Sequence, residues 1–213
     1  MQMPALGPIL RGCAIAAAMV IAAFSTASAQ SLSGNELIAA LKQGGYVLVM
    51  RHANSPATRP DASTAAPGNT RLERQLNENG HKTAHAMGVA LKALRIPIGT
   101  VLSSPTFRTL ETVRELAVGM PDTFNLLGDG SQGYEFSSFE DGARFMRVRA
   151  AEVPMAGKNT LIVTHLPNVE AAFGDATSDI AEGEAIVFKP DGTTGTQIAR
   201  IKIDEWPRFA ARR

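Results

Sequence analysis

Three apolar runs constrain the fold more than any other feature: residues 46–50 (YVLVM), 100–104 (TVLSS) and 159–164 (NTLIVT). They show little polar alternation, the mark of strands covered on both faces by helices. Helix-like segments lie between them. Residues 34–43 (GNELIAALKQ) are amphipathic and closed by Gly44-Gly45. Residues 76–96 form a longer candidate, with Asn77 as its cap and a stop before Pro97. Ser104-Pro105 reads as another helix start, with proline at the first helical position and an end near Val118. Residues 142–153 read as a further helix. Near the end, EAIVFKP (184–190) and GTQIARIKI (195–203), parted by Asp191-Gly192, predict a β-hairpin. This alternation predicts an α/β fold: a three-layer α/β/α domain with a mostly parallel central sheet.

The first 29 residues stand apart from that pattern. Arg11 precedes a twelve-residue apolar stretch, 13–24 (CAIAAAMVIAAF), and Ala27-Ser28-Ala29 supplies an A-x-A site before Gln30. Twelve residues give about 18 Å of helix, short of the ~30 Å needed to cross a bilayer. The expectation is a cleaved signal peptide over 1–29, a single domain over 30–213 with no stable membrane span, and a periplasmic or secreted location. Cys13 lies ahead of the apolar core, where a lipid-attachment cysteine would follow it. It is the only cysteine, so the mature chain has no disulfide and no cysteine nucleophile. Charge is balanced, 21 basic to 20 acidic residues, which argues against nucleic-acid binding but leaves room for a small anion site.

The three strands end alike. The first runs into Arg51-His52, the second into a helix whose first turns carry Arg108, and the third into His165. Ligand sites of open α/β sheets lie beyond the carboxyl ends of strands, so these four side chains converge if the strands are neighbours. Taken alone, each arginine is more often a surface ion-pair partner, and each histidine a capped or solvated strand end. Together they suit a phosphoryl group: guanidinium forks match its oxygens, a neutral imidazole can carry it, and a second histidine can donate to it. Thr112, four residues after Arg108 on one helix face, either extends the site or braces Arg108. His81 and His85 have a spacing that permits metal coordination, but no third ligand is placed by motif, and a polar helix face explains them as well. Residues 53–75 and 119–141 are low-pattern loops, the expected lids over the site.

These motifs together resemble the histidine phosphatase superfamily, in its phosphoglycerate-mutase-like branch. Arg51-His52-Ala53 matches the family's strand followed by R-H-G/A. LNENGHKTA (76–84) resembles L-T-x-x-G-x-x-Q-A, with Asn77 and Thr83 replacing the usual threonine and glutamine. SSPTFRTLETV (103–113) resembles S-P-x-x-R-x-x-x-T-A, and IVTHLPN (162–168) the late strand–histidine motif. With the export-like start, the chain is similar to the small secreted or periplasmic members.

The resemblance implies a phosphomonoesterase in which His52 accepts the phosphoryl group and Arg51, Arg108 and His165 hold it, with Thr112 and Asn54 beside it. It implies a small phosphorylated substrate, such as a sugar phosphate or a lipopolysaccharide-core heptose phosphate, and no metal or organic cofactor. The alternatives are a protein-phosphohistidine phosphatase and a non-catalytic phosphate-binding envelope protein. For protonation of the leaving alcohol, LLGDG (126–130) offers Asp129, with Glu135 second. Asp129 reads equally as a turn residue before Gly130, and a general acid near neutral pH needs a raised pKa. Without an acid, good leaving groups such as phosphohistidine or acyl phosphates are favoured.

Overall fold

The computed structural model describes residues 1, 31–131 and 133–212. The predicted signal segment, with Cys13 and the Ala29–Gln30 cleavage position, lies outside the described residues. The described elements run α1 (Gly34–Gln43), β1 (Val47–Arg51), α2 (Glu78–Leu94), β2 (Ile98–Ser103), α3 (Phe107–Leu116), β3 (Asp122–Thr123), α4 (Phe139–Ala151), β4 (Asn159–Thr164), α5 (Leu166–Phe173), β5 (Ala185–Pro190), β6 (Gly195–Ile201) and α6 (Glu205–Ala211).

The six strands form one sheet in the order β3-β2-β4-β1-β5-β6. The first four are mutually parallel, and β5 and β6 add antiparallel pairs beside β1, as the predicted hairpin requires. Alternation along the central strands then builds two cores. Leu48, Met50, Leu161 and Val163 face Met87, Leu91, Leu116 and Trp206 from α2, α3 and α6. Val47, Val49 and Ile162 face Met146 and Val169 from α4 and α5. The central strands carry apolar residues on both faces because both faces are covered. The result is the three-layer α/β/α architecture. Among the described residues, no helix is long and apolar enough to cross a membrane.

Local chemistry explains most boundaries. Asn77 caps α2, its side chain accepting from the Gly80 N–H at 2.8 Å. The predicted start of α3 at Ser104-Pro105 is corrected: Thr106 is the cap residue and Phe107 the first helical one. Ser104 and Thr106 instead direct their hydroxyls toward each other and toward His165, so Pro105 lies in the turn before the helix. Helix α4 begins at Phe139, ahead of the expected 142, because Ser138 accepts from the Asp141 N–H at 3.0 Å. Strand β3 and helices α5 and α6 were not anticipated. Two of them, α5 and α6, are short, so each carries too few apolar repeats to announce itself.

Candidate active site

The strand order places the ends of β2, β4 and β1 side by side, as convergence required. Arg51 pairs in register with Thr164, and the His52 N–H donates to the Thr164 carbonyl at 3.0 Å. The rings of His52 and His165 consequently lie edge to face with centroids 5.4 Å apart. One strand over, the Ser104 N–H donates to the Val163 carbonyl at 3.1 Å, which delivers α3 and Arg108 to the same crevice.

His52 is 3 % exposed. Its Nδ1 lies 2.8 Å from the Ala53 carbonyl, which can only accept, so Nδ1 carries the proton and Nε2 keeps its lone pair. Burial, opposed by that hydrogen bond and reinforced by Arg108, Arg51 and Arg74, lowers its pKa to about 3. The ring is therefore neutral near pH 7, as a nucleophile must be. The Ala53 N–H donates in turn to Thr112 Oγ1 at 3.0 Å, and the Thr112 hydroxyl donates to the Arg108 carbonyl at 2.8 Å. Thr112 thus braces the turn after His52 against α3. Its hydroxyl is engaged by backbone and does not extend the anion site.

Arg108 is fully buried. Its Nη2 donates to Asp129 Oδ2 at 2.5 Å and to His165 Nδ1 at 2.9 Å. That second bond makes Nδ1 the acceptor, so His165 Nε2–H faces Ser104 Oγ, 2.9 Å away. Burial and then Arg108 hold His165 well below its ordinary pKa. In this arrangement His165 orients Arg108, and both of its nitrogens are occupied. Arg51 donates from Nη1 to the Ile180 carbonyl at 2.9 Å and faces Glu182 at 3.5 Å. On these two arginines, three buried nitrogens make no hydrogen bond among the described residues: Arg51 Nε, Arg108 Nε and Arg108 Nη1. Each such group costs about 1–3 kcal/mol, and an anion with several oxygens recovers that cost.

Asp129 reaches the site. Its Oδ1 accepts from Ser131, at 3.1 Å from the N–H and 2.5 Å from the hydroxyl. Burial alone would raise its pKa. The Arg108 guanidinium, with the Ser131 hydrogen bonds, outweighs this and holds it well below the ordinary carboxylate value. The carboxyl is ionised, the opposite of the raised value a resting general acid needs. Glu135, the second candidate, is exposed and has no hydrogen bond or ion pair to these residues among those described. Asn54, expected beside the phosphoryl group, is engaged by protein groups: its Nδ2 donates to Glu182 and its Oδ1 accepts from Asn77. His81 and His85 face Glu115 across α2 and α3, at 2.9 and 3.8 Å. No group of three or more metal-type ligands gathers among the described residues.

Two charged residues of the site were not foreseen. Glu182 precedes β5, which runs antiparallel to β1 with Ala185 opposite Met50. The start of β5 therefore lies at the end of β1, a placement the predicted hairpin implies once β5 is set beside β1. Arg74 ties itself to the turn after His52, donating to the Ser55 and Pro56 carbonyls at 2.8 and 2.7 Å. Its only sequence signal is its place just before the Leu76 segment.

This fold with its His/Arg/Asp network defines a phosphatase of the histidine-phosphatase type. Residues 47–126, which hold Arg51, His52 and Arg108, match the histidine phosphatase superfamily (branch 1). Among solved structures, the chain is similar to the protein histidine phosphatase SixA complexed with tungstate, at 19 % identity and a TM-score of 0.55, covering 75 % of this chain and 98 % of that one. It is similar to a putative phosphohistidine phosphatase SixA from Agrobacterium tumefaciens, at 19 % identity and a TM-score of 0.50, covering 74 % and 97 %. A phosphoserine phosphatase mutant from Entamoeba histolytica, complexed with phosphoserine, matches at 11 % identity and a TM-score of 0.51, covering 74 % and 97 %. These likenesses establish the shared fold. No curated protein matches the chain.

Proposed function

We propose that the chain hydrolyses phosphoryl groups carried on good leaving groups, phosphohistidine of a protein or peptide foremost, through a phosphohistidine intermediate on His52. One observation carries this reading: the one carboxylate paired with Arg108 among the described residues is ionised and engaged by it, beside a neutral His52 and three unpartnered guanidinium N–H groups. The site is ready to hold a phosphoryl group but, at rest, holds no acid for an alkoxide. An N-phosphoryl imidazole needs none from the enzyme, because protonation of its far nitrogen by water lets it depart as a neutral ring.

In the first step, His52 Nε2 forms a bond to phosphorus as the bond to the leaving nitrogen or oxygen breaks in line. Arg51 and Arg108 hold the phosphoryl oxygens while charge redistributes. In the second, a water oxygen bonds to phosphorus, the P–Nε2 bond breaks, and phosphate leaves with His52 neutral again. The burial of His52, 3 % exposed, counts on the other side, because the bulk of a protein substrate must reach it. That favours the second reading, hydrolysis of small phosphomonoesters such as sugar or heptose phosphates. We also read residues 1–29 as an export signal that delivers the enzyme to the periplasm or the exterior, a reading tested by sequencing the mature N-terminus.

The deciding experiment is turnover against phosphohistidine peptides, sugar phosphates and heptose phosphates, with phosphate trapping on His52. Phosphohistidine is expected to turn over fastest, and His52→Ala to lose both turnover and the trapped label. Faster turnover of the sugar or heptose esters replaces the first reading with the second. Phosphate binding with no turnover and no label replaces both with a non-catalytic binding protein.

A further inference from the structure

Three guanidinium groups, and not two, act on the paired histidines. Arg51 faces Glu182 at 3.5 Å and Arg108 faces Asp129 at 2.5 Å, so those two positive charges each have a negative partner. The third, Arg74, has none: it is half-buried, and no carboxylate lies within ion-pair distance of it among the described residues. Its hydrogen bonds run to carbonyls only, from Nε to Pro56 at 2.7 Å and from Nη2 to Ser55 at 2.8 Å. Those carbonyls belong to the turn that follows His52, so the guanidinium plane is fixed on the rim of the site by two bonds. Its Nη1 makes no hydrogen bond among the described residues. The charge of Arg74 acts on His52, His165, Arg51 and Arg108 alike, disfavouring a further positive charge at each. Glu73, which also acts on Arg108, has Arg71 at 3.8 Å. With both histidines neutral and these three ion pairs cancelling, the net charge of the cluster is that of Arg74.

We propose that Arg74 is a third anion-binding residue of this site, giving an otherwise charge-balanced cluster the net positive charge with which it takes up a phosphoryl group. The proposal deepens the phosphatase reading and rests on it for the identity of the anion. A fixed guanidinium costs less order on binding than a free one, and partial burial keeps its field from being screened away.

The test is calorimetric binding of inorganic phosphate to the full chain and to Arg74→Lys and Arg74→Gln, with thermal melting of each. Lysine keeps the charge but not the two-pronged attachment, and glutamine keeps neither. Arg74→Gln is expected to bind phosphate roughly ten- to a hundredfold more weakly, and Arg74→Lys to stay within about threefold of the parent. Equal losses in both variants, tracking a fall in melting temperature, assign Arg74 a bracing role only and overturn the proposal. If the glutamine variant does not fold, the lysine variant decides: a loss beyond about tenfold overturns the proposal. Phosphate binding requires no turnover. An inactive chain that binds phosphate through Arg74 therefore sinks the phosphatase reading alone, and an active chain indifferent to Arg74 sinks this one alone.

Discussion

Arg108 Nη2 and Asp129 Oδ2 stand 2.5 Å apart, so the carboxylate holds a nitrogen of the fork that an incoming phosphoryl group needs. A phosphoryl group that takes this nitrogen as well as the unpartnered Nε and Nη1 displaces it. Displacement removes the cation nearest the carboxyl, and its affinity for a proton rises as a leaving group comes to need one. Asp129→Asn is expected to bind inorganic phosphate more tightly, because the competitor has lost its charge. For any alkyl phosphate the parent hydrolyses, the variant's turnover should fall on the order of a hundredfold, against little change for an aryl phosphate. Equal losses on both esters would remove Asp129 from the protonation step.

Stability should fall on acidification in a defined window. His52, at about 3, and His165, well below 6.5, bind fewer protons folded than unfolded. Their stabilisation is complete above the unfolded value near 6.5 and drains away as pH falls toward the folded values. Asp129 adds a lower window of the same sign, present above 3.8 and lost as pH falls through its lowered folded value. Between pH 7.5 and 5, urea midpoints should show a loss on the order of 2 kcal/mol for each buried histidine. His52→Gln should reduce the slope by about half. A stability that is flat between pH 7.5 and 5 contradicts both protonation assignments.

Gly80 lies where the first turn of α2 meets the backbone after His52. A Cβ there would come within 2.2 Å of the Asn54 carbonyl oxygen. Alanine improves helix propensity by up to about 1 kcal/mol, but the contact is backbone and cannot rotate aside. Gly80→Ala should therefore destabilise by about 1–3 kcal/mol in urea and reduce activity through the displaced turn. An unchanged midpoint would show that α2 shifts freely.

Thr112→Val removes one hydroxyl and leaves the buried Ala53 N–H without its acceptor. The expected cost is about 1–3 kcal/mol. Turnover should fall with it, because the Ala53 carbonyl fixes the His52 tautomer. Thr112→Ser should restore both quantities, which separates the hydroxyl from the packing of the methyl group.

The sequence revealed the strands and the groups at their ends because buried parallel strands and a side-chain cap such as Asn77 are local signals. Arg51, His52, Arg108 and His165 could be read together because each follows an apolar run or opens a helix. Glu182 and Arg74 could not be found that way, since what brings them to the site is tertiary: the antiparallel placement of β5, and a loop folding back on Ser55 and Pro56. Asn54 was misjudged for the same reason. It lies two residues from His52 in sequence, but its side chain bonds Asn77 and, 128 residues away, Glu182. Pro105 suggested a helix two residues too early because the demand of His165 on Ser104 was invisible.

Glu73 joins the loop before Leu76 and the loop bearing Tyr134 to the start of α3. Buried at 2 % exposure, it accepts from the Phe107 N–H at the start of α3 and from the Tyr134 hydroxyl, both at 2.8 Å, while Arg71 stacks 4.3 Å from the Tyr134 ring centre. One side chain thus serves two loops and the helix that bears Arg108. Drawing Tyr134 away removes one of the two hydrogen bonds that this buried group accepts, a loss of about 1–3 kcal/mol. The loops that carry Glu73 and Tyr134 are in this way tied to the first residue of α3, so a displacement of either loop acts directly on the helix that bears Arg108.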